Sequence, residues 1–219
     1  NLTRLDQNLQ AFRQILTRPV NPAASQAGIK PPRQPMICGV VKADAYGLGA
    51  AIIAQRLVAK GVDMLAVYSP AQATDLLRVS MSCPILIMSP MRDLHRTDPL
   101  YRAAVTGRLH LSVHDLDQID QILKIGTTYG CTMPIHFFLD TGMSRSGLNE
   151  EQFGQALKKI AGVRYLKLAG IYSHLASAED AGGFAQQQLE RFDYLIANHA
   201  DAIPADTITH IANTFATCR

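Results

Sequence analysis

The sequence has no tryptophan, and aromatic residues fill only 6% of its 219 positions. No apolar run approaches the ~20 residues that span a bilayer, and no secretory signal pattern is present, so no membrane partner is expected. The four cysteines, Cys38, Cys83, Cys131 and Cys218, are widely separated and include no CxxC pair. That spacing argues against a zinc site or a disulfide framework and fits a reducing, cytoplasmic setting. Charge is sparse: 21 basic and 18 acidic residues give a net +3, and the basic ones are scattered. A nucleic-acid binder concentrates such charge in a patch or stripe, so no nucleic-acid partner is expected. What the chain does have is 47% hydrophobic residues, a globular balance in a length suited to about one large domain.

Leu2, Leu5, Leu9, Phe12 and Leu16 recur at three- and four-residue steps and predict an amphipathic helix. Five prolines between Pro19 and Pro35 then predict a loop over 19–35. Beyond it, seven short apolar runs predict strands: Met36–Val41, Met64–Tyr68, Pro84–Met88, Leu109–Val113, Pro134–Leu139, Leu166–Ser173 and Thr207–Ala212. They are rich in Ile, Val, Leu and Met with little polar alternation, as in parallel strands covered on both faces. Helical patterns lie between them, among them Ala50–Lys60, Ala71–Val79 and Leu116–Lys124, with Asp115 and Asn149 placed as N-caps. An open doubly wound sheet and a (β/α)8 TIM-type barrel both fit this order. No GxGxxG follows the first strand, which favours the barrel. With seven strands and no initiator methionine, residues 1–219 read as a barrel truncated after about seven strands, part of a longer protein.

Reactive groups of such a barrel gather at the carboxyl ends of its strands. The first strand runs into Val40-Val41-Lys42-Ala43-Asp44-Ala45-Tyr46-Gly47-Leu48-Gly49. A lysine at a strand end is ordinarily a solvated charge. Lys42, however, is set among apolar and small residues, and an apolar surrounding disfavours an ammonium and frees a nucleophilic amine. The glycines at 47 and 49 let backbone approach a ligand, and Tyr46 offers a hydroxyl. Asp140, closing the fifth strand before Thr141-Gly142, reads as a turn-forming residue. His136 reads as structural, and His95, His110, His114 and His199 form no metal-ligand motif, so no metal is assigned.

The block around Lys42 resembles the pyridoxal-phosphate attachment motif of the alanine racemase family. Three further blocks are similar to that family's later motifs, in the same order: Asp140-Thr141-Gly142-Met143-Ser144-Arg145-Ser146-Gly147, Gly170-Ile171-Tyr172-Ser173-His174-Leu175-Ala176 and His210-Ile211-Ala212-Asn213-Thr214. The resemblance implies pyridoxal 5'-phosphate held by Lys42 as a Schiff base, with Lys42 also one of two bases at the substrate Cα. It implies that Tyr46 and Thr214 donate to the cofactor phosphate, Thr214 standing where the family usually has Ser. Arg145 would reach the cofactor's phenolic oxygen and the substrate carboxylate, His174 would lie against the pyridine ring, and Asn213 would sit beside it. The implied activity is interconversion of L- and D-alanine, in a homodimer whose C-terminal β-domain, beyond this chain, supplies a catalytic tyrosine. Racemases of other or broader amino-acid range, and non-catalytic barrels that carry the same cofactor, share this outline. The chain departs from the family at Phe138, where the family often has a lysine that helps to orient the arginine. Either another group or an anion then supports Arg145, or the arginine is held differently.

Overall fold

A computed structural model describes residues 1–17, 35–79, 82–179 and 182–218. The loop expected over 19–35 lies, Pro35 apart, outside them. The elements run α1 (Leu2–Leu16), β1 (Cys38–Val40), α2 (Lys42–Gly47), α3 (Ala50–Ala59), β2 (Met64–Val67), α4 (Pro70–Arg78), β3 (Ile85–Ile87) and α5 (Tyr101–Val105). They continue with β4 (Leu109–Val113), α6 (Leu116–Tyr129), β5 (Met133–Phe138), α7 (Glu150–Ile160), β6 (Leu166–Tyr172), α8 (Phe184–Asn198), β7 (Ile208–His210) and α9 (Thr214–Thr217). All six strand pairings are parallel, in the order β1 to β7. Six of the strands thus fall inside their apolar runs, most of them shortened at the ends, and β5 starts one residue before its run, at Met133.

The helices start where their caps dictate. Asp115 accepts the backbone N–H of Gln118 at 2.8 Å, and Asn149 and Gln152 form a reciprocal capping box. Ser69 and Gln72 do the same for α4, with Pro70 at its first position. Beyond its expected end, α6 continues to Tyr129 and stops at Gly130, whose φ of 63° suits a residue without Cβ.

The strands divide their side chains between two layers. Leu65, Val67, Ile85, Ile87, Leu109, Leu111, Val113, Ile135, Phe137 and Ile171 face outward into one continuous core with the helices. Alternate positions face the barrel interior, where Met64, Ala66 and Leu86 form a small apolar cluster with Met88 packed on it. On β4 to β7 the interior is different, and the sequence reading had found no polar alternation there. His110, His136 and His210 stand in series, with His136 Nε2 2.8 Å from His110 Nδ1 and His136 Nδ1 3.1 Å from His210 Nε2. Burial lowers the pKa of all three, to about 4 for His110 and His210 and well below the usual value for His136. A neutral imidazole carries one proton, so two N···N bonds in series require all three rings to share one tautomer, all Nδ1–H or all Nε2–H.

Candidate active site at the carboxyl end of the barrel strands

Past β1, Val41 still donates to Ala66 O at 2.9 Å, and Lys42 follows, half-buried. The chain then makes a turn of the wrong hand. Ala43, Asp44, Ala45 and Tyr46 all have φ between 51° and 57°, the left-handed region. Each non-glycine residue there costs roughly 1–2 kcal/mol. The turn is held by Ala45 N–H to Val41 O at 3.0 Å and Gly49 N–H to Asp44 O at 2.9 Å. The Asp44 carboxylate also takes the first free N–H of α3, from Ala50, at 2.6 Å. Residual strain of this kind concentrates at functional sites; here it directly follows Lys42, and Tyr46 is left 65% exposed at the rim.

Arg145 is carried by the loop after β5. Asp140 Oδ1 accepts the N–H groups of Gly142 and Ser144, both at 3.0 Å, the turn-forming role expected of it. Leu148 N–H bonds Phe138 O at 2.8 Å, and Asp140 N–H bonds Leu148 O at 3.0 Å, so the loop closes back on the end of its own strand. Phe138 is buried and rests on Tyr172, with ring centroids 4.8 Å apart. Tyr172 in turn stacks on His210 at 4.8 Å with planes 3° apart, and its hydroxyl lies 2.6 Å from Ser112 Oγ. Burial raises the Tyr172 pKa to about 12.

His174 sits just past β6 and is exposed, not the core residue that its neighbours on their own suggest. Its pKa is lowered, first by partial burial and then by the positive charges of Arg145 and Lys42. The ends of β1, β5 and β6 therefore bring an amine, a guanidinium and a neutral imidazole into one electrostatic neighbourhood. β1 and β6 are not sheet neighbours; curling of the sheet unites them. At the end of β7, Asn213 Oδ1 accepts the N–H of Ala216 at 3.0 Å as the cap of α9, and Thr214 is exposed beside it.

Two positioning side chains escaped the sequence reading. Gln188 of α8 is fully buried. It donates to His174 O at 3.1 Å and Thr141 Oγ1 at 3.4 Å and accepts from Ala176 N–H at 2.8 Å. Thr141 Oγ1 also lies 2.8 Å from Ser173 Oγ, which donates to Leu139 O at 2.8 Å. This network ties the Arg145 loop to the His174 loop. Gln118 of α6, equally buried, donates to Ser112 O and Met91 O and accepts from the backbone N–H of His114. Both lie on apolar helical stripes, Gln188 with Phe184, Phe192 and Leu195, and that placement was the available signal.

Comparison with known proteins gives this arrangement a family. The sequence model "Alanine racemase, N-terminal domain" matches residues 1–219. The chain belongs to the alanine racemase N-terminal domain family. It is 30% identical over 183 residues to the alanine racemase of Symbiobacterium thermophilum, covering 83% of this chain and 47% of that protein. With the alanine racemase of Nostoc sp. it shares 30% over 220 residues, 99% of this chain and 52% of that protein. It thus spans about half the length of these relatives. The solved alanine racemase of Streptomyces coelicolor superposes with a TM-score of 0.78 at 26% identity, over 99% of this chain and 53% of that one. The alanine racemase of Streptomyces lavendulae gives a TM-score of 0.81 at 23% identity, covering 99% and 52%, which speaks to the fold. As an alanine racemase N-terminal domain, the chain is the curled seven-strand portion of a TIM-type barrel. Among its described residues no helix is long and apolar enough to cross a membrane, and no three His, Cys, Asp or Glu side chains converge as metal ligands.

Proposed function

We propose that the protein containing this chain is a pyridoxal-phosphate-dependent racemase that interconverts L- and D-alanine, a cytoplasmic homodimer completed by a β-domain beyond residue 219. The observation that carries this reading is the family match over residues 1–219, with Lys42, Arg145 and His174 lying in the segments that leave the carboxyl ends of β1, β5 and β6. The residues fit such a cofactor: an amine to condense with its aldehyde, a guanidinium for its anionic oxygens, and a neutral ring to lie against its pyridine.

Lys42 holds the cofactor, and Tyr46 and Thr214 donate to its phosphate from the rims of β1 and β7. Arg145 binds the phenolic oxygen and the substrate carboxylate, for which a planar fork suits better than a point charge. His174 lies against the pyridine ring, beside Asn213. When bound, pyridoxal phosphate withdraws electrons from the substrate Cα and lowers the cost of removing its proton. Lys42 takes or returns that proton on one face. A second base, a tyrosine outside this chain, serves the opposite face, because inversion requires removal on one side and delivery on the other. The strained turn 43–46 supports the assignment, since backbone strain of this kind concentrates at functional sites.

Borohydride reduction of the natural full-length protein loaded with pyridoxal phosphate, followed by peptide mapping, tests this reading. One stoichiometric pyridoxyl group on Lys42, with racemisation of L-alanine abolished by Lys42→Ala, is the expected result. Labelling scattered over surface lysines with Lys42 unmodified overturns it.

A further inference from the structure

His114 ends the polar series on β4 and has one atom out of balance. Its Nε2 lies 2.8 Å from the carbonyl oxygen of Met88, which can only accept, so Nε2 carries the proton. Burial lowers the pKa of the ring, with the Met88 bond and Asp115 opposing and the charges of Arg92 and Arg145 adding to the effect. A neutral ring with its proton on Nε2 leaves Nδ1 as a bare acceptor. That Nδ1 is buried and has no hydrogen-bond partner, a situation that costs about 1–3 kcal/mol unless a donor arrives.

Two cations act on the ring, Arg92 and Arg145. Arg92 is committed to Asp115 and to Gln121. Arg145 is exposed, and none of the ion pairs among the described residues includes it. Its loop is stapled to Phe138 O, and the His114 ring packs edge-on against the Phe138 ring, centroids 5.2 Å apart. Phe138 supplies no polar atom to a guanidinium. The His114 backbone is itself fixed by fully buried Gln118 at 2.9 Å, so the acceptor is held at a set height beside the loop.

We propose that His114 is a positioning residue for Arg145, its bare Nδ1 accepting one guanidinium N–H and thereby setting the direction in which the remaining fork meets a carboxylate. The inference rests on the proposed function only for the identity of that carboxylate, the amino-acid substrate. A guanidinium has five donors in a rigid plane, so giving one to His114 leaves a bidentate edge free. A neutral acceptor orients the fork without cancelling its charge, as a carboxylate partner would.

Two variants separate this role from the anchor to Met88. His114→Gln keeps a donor at the ε position and removes the δ acceptor; His114→Asn keeps an oxygen at the δ position and gives up the anchor. In the natural full-length protein, His114→Gln is expected to raise KM for L-alanine roughly 10–100-fold, the usual cost of losing an orienting partner, with kcat less affected. His114→Asn is expected to retain most of the affinity. The reverse order, or equal losses in both variants, overturns the proposal. A readout free of turnover is the 15N resonance of His114 Nδ1 in selectively labelled protein. Replacing Arg145 with Met should move it downfield, as a lone pair loses its donor, while Nε2 stays protonated. An unchanged resonance in a protein that racemises alanine overturns the inference alone. A shifted resonance in a protein with no racemase activity upholds the contact and overturns the substrate reading instead.

Discussion

Gly170 on β6 faces His136 on β5 so closely that a Cβ at position 170 would come within 2.1 Å of the imidazole Nδ1. The register shift between Ile135 and His136 lies at the same place. The missing side chain on one strand is therefore the space in which the central ring of the histidine series stands. Gly170→Ala should destabilise the protein by about 2 kcal/mol or more, as overpacking a filled interior does. Denaturant unfolding measures this, and adding His136→Ala should recover much of the loss. A double variant that loses the sum of the two single losses would mean that the two sites are not coupled.

The same series makes stability depend on pH with a definite sign. Burial lowers the rings of His110 and His210 from about 6.5 to about 4 in the folded state and holds His136 well below its usual value. Above about pH 6.5 both states are neutral and these rings leave stability unchanged. Below it the unfolded chain takes up protons that the folded chain refuses, so stability falls down to about pH 4. The slope is at most about 1.4 kcal/mol per pH unit for each ring. Unfolding midpoints at pH 7.5, 6, 5 and 4 should follow this curve, and His136→Asn should flatten it.

Replacing alanine by glycine in regular structure usually costs stability. At Ala43, with φ at 51°, the sign should reverse. Relief of a left-handed residue is worth about 1–2 kcal/mol, against about 0.4–1 kcal/mol for the added freedom of the unfolded chain. Ala43→Gly should therefore leave the melting temperature unchanged or raise it, whereas Ala43→Val should lower it, a β-branched residue being a genuine outlier at that φ.

Gln188→Leu removes the brace between the Arg145 and His174 loops while keeping an apolar stem. The backbone N–H of Ala176 and carbonyl of His174 then lose their partner, at about 1–3 kcal/mol for each group that stays buried. Hydrogen exchange should accelerate in 139–148 and 173–178 and remain slow in β2 and β3. Uniform acceleration over the sheet would contradict a local brace.

Much of this protein was legible in its order of residues. The seven runs of Ile, Val, Leu and Met mark the seven parallel strands because strands covered on both faces need no polar alternation. Asp115 and Asn149 cap helices because capping is a contact over three residues, and Asp140 makes its turn for the same reason. The blocks around Lys42, Arg145, His174 and Asn213 could be read because each is contiguous. The left-handed turn could not, since Ala43 and Tyr46 carry no local preference for positive φ; the hydrogen bonds to Val41, Asp44 and Ala50 impose it.

Strands, caps, turns and the order of the motifs depend on neighbours a few positions apart, and the sequence by itself determined them. The histidine series, the brace at Gln188, the orphaned Nδ1 of His114 and the meeting of Lys42 with Arg145 and His174 join residues 12 to 132 positions apart. Only the curl of the sheet decides which of their side chains share the interior. Burial then keeps the interior histidine rings neutral, because it removes the water that would otherwise solvate their charged form.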